Sequence, residues 1–269
     1  MLTPLLSALP LTVGPRLPAL ADLTSYTFFY STFALLGAAV FFVLERRNVP
    51  RRWRVNLTVA GLICLIAATS YLYMQAFYVG EGVPLTRFRY TEWLFTVPLM
   101  CTQFYLLLRP AGAKSGSLVR LVLGGLWMIG FGFFGENTTP IQAILWGSVS
   151  TLGYLLVLFE VWFGPLARVA DRSTDRNVVR AYQWLAYFIL IGWAIYPMGY
   201  MTLPFNVFEA LHLDRNLVYN FGDVLNKVGF GLVVYVMARK AAARKRSLRR
   251  ARRSGQAQAA EASVGVLAG

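Results

Sequence analysis

Asp223 and Lys227 stand one helical turn apart in the run Asn220-Phe-Gly-Asp223-Val-Leu-Asn226-Lys227-Val-Gly229-Phe-Gly231, which is otherwise mostly apolar or small. A charged side chain inside a bilayer costs at least ~2.5 kcal/mol even on lenient scales, so it is kept for a task and with a partner. Asp223, four residues back, shares the helix face and is that partner. A desolvated lysine is also suited to condense with an aldehyde, which makes Lys227 a candidate carrier of a covalent cofactor. A second set lies in Arg89-Tyr90-Thr91-Glu92-Trp93-Leu94-Phe95-Thr96-Val97-Pro98-Leu99-Met100-Cys101-Thr102-Gln103. There Arg89, Glu92, Thr96 and Gln103 recur at steps of 3, 4 and 7 and form one stripe at 100° per residue. Two cations and two anions balance, so two readings stand on charge alone: an ion-pair network joining helices, or a ligand site and ion pathway.

The elements that must position these groups are membrane-spanning helices. The chain is 57% hydrophobic, 15% aromatic and only 14% charged, with a mean hydropathy of +0.53, far more apolar than a soluble domain. Seven stretches reach the ~20 residues that a bilayer requires, at 23–45, 54–78, 88–108, 117–135, 139–163, 179–203 and 215–240. The expectation is an all-α seven-transmembrane-helix bundle over 23–240, preceded by a segment at 1–22 and followed by a basic tail at 241–269. Arg46, Arg47, Arg51, Arg52 and Arg54, then Arg109, Lys114 and Arg120, then Arg168, Arg172, Arg176 and Arg180, and the nine basic residues from Arg239 to Arg253 all fall on one side. Arg16, Arg87 and Arg215 fall on the other, which puts the N-terminus outside the cell and the C-terminus in the cytoplasm. The net charge of +14 is then mostly a topology signal, pointing to lipid and the plasma membrane and away from nucleic acid.

Other residue types say less. Cys64 and Cys101 fall mid-helix and read as packing residues. The 1–22 segment ends in Ala19-Leu20-Ala21, which suits a signal-peptidase site, but lacks a basic n-region; a cleaved signal and a short extracellular segment both stand. His212, the only histidine, reads as a surface residue between the last two helices. There is no phosphate loop, metal-ligand cluster or nucleophile triad, so an enzyme is not expected.

Three segments together resemble the microbial rhodopsins, and within them the proteorhodopsin and xanthorhodopsin branch: Arg89 to Leu99, Gly192-Trp-Ala-Ile-Tyr-Pro197-Met-Gly-Tyr200, and Asp223 to Gly231. The resemblance covers about residues 23 to 240. It implies that Lys227 holds all-trans retinal as a Schiff base, with Glu92 as primary counterion and proton acceptor and Asp223 as second carboxylate. Arg89 matches the arginine that relays charge toward the extracellular exit, and Thr96 the hydroxyl that hydrogen-bonds the protonated acceptor. Trp93, Trp193, Tyr196, Pro197 and Tyr200 match the walls of the polyene slot, with Tyr90 near the counterion and Met128 and Trp146 toward the ring. Met100 sits at the colour-tuning position and, being apolar, argues for green over blue. Gly147 matches a glycine that opens a window for a carotenoid antenna, although a glycine there also serves close helix packing. Trimers or pentamers are the assemblies that the resemblance implies.

Two positions depart from the usual pump. The acceptor is Glu92 where most of the branch has Asp, and Gln103 stands where the cytoplasmic carboxylic donor belongs. An amide releases no proton, so reprotonation must come from water or another group, and a slow photocycle is expected. Glu160 and Glu45 are not expected to substitute. Glu92 argues against a chloride pump, and the absence of an Asn and Asp pair at 92 and 96 against a sodium pump. Outward proton transport is the expected activity, with a photosensor acting through a separate transducer as the alternative.

Overall fold

The computed structural model describes residues 23–80, 85–200 and 215–267. Residues 1–22 and His212 lie outside them. The described chain is helical without strands: α1 (Leu23–Glu45), α2 (Arg51–Gly80), α3 (Thr86–Leu108), α4 (Ser115–Glu136), α5 (Pro140–Trp162), α6 (Pro165–Arg172), α7 (Arg176–Tyr187), α8 (Ile195–Tyr200) and α9 (Arg215–Leu267). Seven of the expected spans are present, the sixth assembled from α7, a π turn at Phe188–Gly192 and α8. Neighbours in sequence pack side by side, and α9 closes the ring against α1, α2, α7 and α8.

Large apolar side chains cover the outside of the molecule, while the charged side chains of the two motifs are buried within a mostly apolar core. Phe29, Phe33, Leu36, Val40 and Leu44 of α1 are exposed, whereas Arg89, Glu92, Thr96, Gln103, Asn220, Asp223, Asn226 and Lys227 are buried. That inversion is stable only where the surroundings are lipid, because helices satisfy their own backbone and the tails cover the apolar faces. Six spans are apolar enough to cross a membrane by composition alone. The remaining helix, α3, is long enough at 23 residues but carries the polar stripe.

Proline sets several boundaries. α2 begins at Arg51, earlier than expected, because Pro50 accepts the first turn's hydrogen bond from Trp53 N at 2.8 Å and Arg51, Arg52 and Arg54 then join the helix. Pro140 and Pro165 stand at first-turn positions of α5 and α6, where a missing N–H costs nothing. Asp175 caps α7 by accepting from Asn177 N at 3.0 Å. Gly112, at φ +101°, makes the left-handed turn out of α3.

The sixth span is not one regular helix: Trp193 N donates to Phe188 O at 3.1 Å, an i to i−5 bond. Asn226 Nδ2 ties to Gly192 O there at 3.0 Å, and such a π bulge is common at functional sites. Beyond the seventh span the helix runs on through the basic tail to Leu267, since the tail's Ala, Arg, Lys and Gln residues are strong helix formers.

Candidate functional site

The two motifs meet in the centre of the bundle. Lys227 Nζ lies 2.5 Å from Asp223 Oδ1 and 3.3 Å from Glu92 Oε2, with all three side chains almost fully buried. The carboxylates are bonded unequally. Asp223 accepts from Tyr196 Oη at 2.7 Å, Tyr71 Oη at 2.8 Å and Trp93 Nε1 at 3.4 Å. Neither carboxylate oxygen of Glu92 has a hydrogen-bond partner of good geometry, leaving the Lys227 ammonium as its counter-charge. Thr96 Oγ1 donates to the Glu92 main-chain O at 3.1 Å, so its lone pairs stay free to accept from a protonated Glu92 carboxyl.

Arg89 stands to one side of this triad. Its Nη2 donates to Asn220 Oδ1 at 2.6 Å and Asn216 Oδ1 at 3.2 Å, and its Nη1 to Tyr71 Oη at 3.3 Å. Tyr71 therefore bridges the guanidinium to Asp223. Phe28, Tyr71 and Tyr219 present ring faces to Arg89 at 5.3–5.8 Å, which helps to hold a buried cation. Beyond it, Glu136 accepts from Tyr90 Oη at 3.2 Å and Thr86 Oγ1 at 3.0 Å and pairs with Arg215 at 3.5 Å.

Lys227 also lines a cavity whose walls include Tyr90, Trp93, Thr96, Met100, Met128, Gly132, Gly147, Tyr154, Trp193, Tyr196, Pro197 and Tyr200. Trp93 sets its wall by packing on Tyr90 and Tyr196, each with ring centroids 5.0 Å away. Of the expected slot residues, Trp146 alone is not brought to the wall. Its ring stacks on Phe131 at 5.7 Å and 13° and packs on Phe134, because it belongs to the α4–α5 seam. Gly147 does reach the cavity, and a Cβ there would lie 2.5 Å from Tyr200 Cε1. Tyr200 packs against Gly147 of α5 and donates to Ala143 O at 2.7 Å.

Gln103 is fully buried away from the triad, its Nε2 donating to Asn56 O at 3.1 Å. Glu160 is held by Arg120 through bonds of 2.8 and 3.1 Å and by Leu166 N at 3.3 Å. Glu45 is bonded to Asn48 and Tyr235. Sequence reasoning missed Tyr71, Asn216, Asn220 and Glu136. Asn220 shares a helix face with Asp223 and Lys227, at spacings of three and seven, and that was its available signal; Tyr71 carried none.

Fold and site define a class: a seven-helix integral membrane protein with a buried lysine between two carboxylates, opening into an aromatic cavity. The family model described as Bacteriorhodopsin-like protein matches residues 22–241, and the chain belongs to that family. It is 39% identical over 223 residues to the green-light absorbing proteorhodopsin of Gamma-proteobacterium EBAC31A08, covering 82% of this chain and 88% of that one. Among solved structures it is similar to Exiguobacterium sibiricum rhodopsin, at 30% identity and TM-score 0.71 over 82% of this chain and 97% of that one. It is also similar to xanthorhodopsin, described as a light-driven ion pump with dual chromophore, at 25% identity and TM-score 0.70, covering 83% and 94%. Membership implies retinal held on a lysine. The residues present fit that group: one buried amine faces an apolar, aromatic-walled cavity, and two carboxylates balance its charge.

Proposed function

We propose that this chain is a light-driven outward proton pump in which all-trans retinal is held covalently at Lys227 Nζ, with the N-terminus extracellular and the C-terminus cytoplasmic. The observation that carries the reading is the unequal bonding of the carboxylates flanking Nζ. Retinal, when bound, supplies a light-driven change of shape that alters where the Nζ proton points. Glu92 is the acceptor, because the Lys227 ammonium is the charged group beside its carboxylate and, once protonated, the carboxyl can donate a hydrogen bond to Thr96 Oγ1 while keeping its proton. Asp223 stays ionised, held by three hydrogen-bond donors besides Lys227, and keeps a counter-charge beside Nζ throughout. Arg89, tied to Asp223 through Tyr71, passes that change of charge toward the Glu136 and Arg215 end.

Gln103 has no proton to give, so Nζ is reprotonated slowly. The flash-induced absorbance change that reports the missing Nζ proton then decays more slowly as pH rises, and a fast, pH-independent decay refutes this. The same amide favours a second reading, a photosensor acting through a separate transducer. Light-induced acidification of a cell suspension, abolished by a protonophore, supports the pump; a silent suspension with a slow cycle supports the sensor. Pigment formation on adding all-trans retinal, lost in Lys227→Ala, tests the common part of both readings.

The proposal extends to a carotenoid laid over Gly147, against the competing account that this glycine exists to admit Tyr200. An excitation spectrum without energy transfer from any hydroxylated carotenoid removes that extension. Assembly as a trimer or pentamer in the bilayer completes the reading, with cross-linking in membranes as its measurement.

A further inference from the structure

A second cavity, of about 340 Å³, opens between the first turns of α2 and the link from α6 to α7. The proposed topology turns this end of the bundle toward the cytoplasm. The space far exceeds the about 10–15 Å³ that one water needs. Its buried wall carries one donor and one acceptor that no protein group satisfies. Trp53 and Asn56 line the cavity and are 1% and 2% exposed, yet Trp53 Nε1 and Asn56 Oδ1 have no hydrogen-bond partner. Buried polar atoms are costly to leave unpaired, so a ligand matching both is favoured.

The mouth is positively charged. Arg52, Arg172 and Asp175 all line it, but the Asp175 carboxylate is occupied by Arg52 and by Asn177 N. Arg172 has no ion-pair partner among the described residues. Both α2 and α7 present their first turns to the cavity, and helix N-termini favour an anion.

We infer that this cavity is a phosphate site, taking inorganic phosphate or the phosphomonoester headgroup of a lipid. Ionised oxygens accept from Trp53 Nε1 and Arg172, and a remaining P–OH donates to Asn56 Oδ1. That acceptor is what selects phosphate. Sulfate has a similar shape but carries no proton near neutrality, so it would leave Asn56 Oδ1 facing an anion unpaired. The site shares no lining residue with the Lys227 cavity and stands apart from the retinal reading.

Isothermal titration of the whole chain in phosphatidylcholine nanodiscs tests it, with inorganic phosphate as the probe. Phosphate should bind with a Kd below about 1 mM, and sulfate at least about fivefold more weakly. Trp53→Phe keeps a ring but removes the donor and should weaken phosphate at least about fivefold, in line with one hydrogen bond to a charged group. Asn56→Leu should weaken phosphate but not sulfate, abolishing the preference. Phosphatidic acid added to the nanodiscs separates the two sources. A rise in apparent Kd of about threefold or more, by competition, supports the site with a lipid headgroup as occupant; an unchanged Kd supports it with the free ion. No saturable phosphate binding, equal binding of sulfate, a preference kept in Asn56→Leu or an unchanged Kd in Trp53→Phe overturns the inference and leaves water as the filling. If Trp53→Phe does not fold, Arg172→Gln on the exposed rim decides instead: weaker phosphate binding supports the site and an unchanged Kd overturns it.

Discussion

Gly192 is one of the points where the sixth span touches the lysine-bearing helix, and replacing it with alanine has a cost that follows from the contacts. A Cβ at 192 would stand 1.9 Å from Asn226 Oδ1 and 2.9 Å from its Cγ, well inside ordinary contact. Neither neighbour gives cheaply, because Asn226 is itself anchored, its Nδ2 donating to Gly192 O at 3.0 Å and Gly222 O at 2.9 Å. Turning the amide away forfeits both bonds, at about 0.5–1.5 kcal/mol each. Residual overpacking adds about 1–3 kcal/mol. Gly192→Ala should therefore destabilise the bundle by about 2–5 kcal/mol, read by SDS titration in mixed micelles followed by far-ultraviolet circular dichroism. The double variant Gly192→Ala/Asn226→Ala removes the obstructing amide, so the two losses should fall short of additivity by about 1–3 kcal/mol. Because Asn226 precedes Lys227, the single variant should also shift the absorption band. A loss below about 0.5 kcal/mol, or strict additivity in the double variant, would refute the reasoning.

The remaining expectations concern the triad and its surroundings. Glu92→Gln should still form pigment but lose light-induced acidification at least tenfold, measured with a pH electrode on a cell suspension. Gln103→Glu places a carboxylic donor in a buried polar site and should speed return of the Nζ proton at least threefold, with little dependence on pH, by flash photolysis. Gly147→Ala drives a methyl into the Tyr200 ring, costs about 1–3 kcal/mol and should lower the thermal stability of the pigment in detergent. Arg120→Gln strips the buried Glu160 carboxylate of its two charged bonds and should cost about 1–3 kcal/mol by the same SDS titration, with the absorption band unmoved.

The spans and the lysine, carboxylate and arginine set were legible in the chain because a helix repeats every 3.6 residues and hydropathy is a local property. Glu92 and Thr96 share a face by spacing alone, as do Asp223 and Lys227, and the aromatic slot residues followed from resemblance. Other features were not legible for identifiable reasons. Trp146 has the residue type of a slot wall but turns into the α4–α5 seam, since which side of a helix faces the cavity depends on its neighbour. The π turn at Phe188–Gly192 leaves no clear mark in hydropathy.

What the sequence by itself determined is the membrane class, the spans and the identity of the charged residues that the bilayer makes too costly to be idle. What only the tertiary structure decided is how those charges are shared. Tyr71 meets Asp223 across 152 residues of chain and Arg89 meets Asn220 across 131, while Glu92 faces the Lys227 ammonium and no such tyrosine. Such pairings form between helices, where the angle and rotation of each span set which side chains touch. Periodicity within one helix carries no record of that choice.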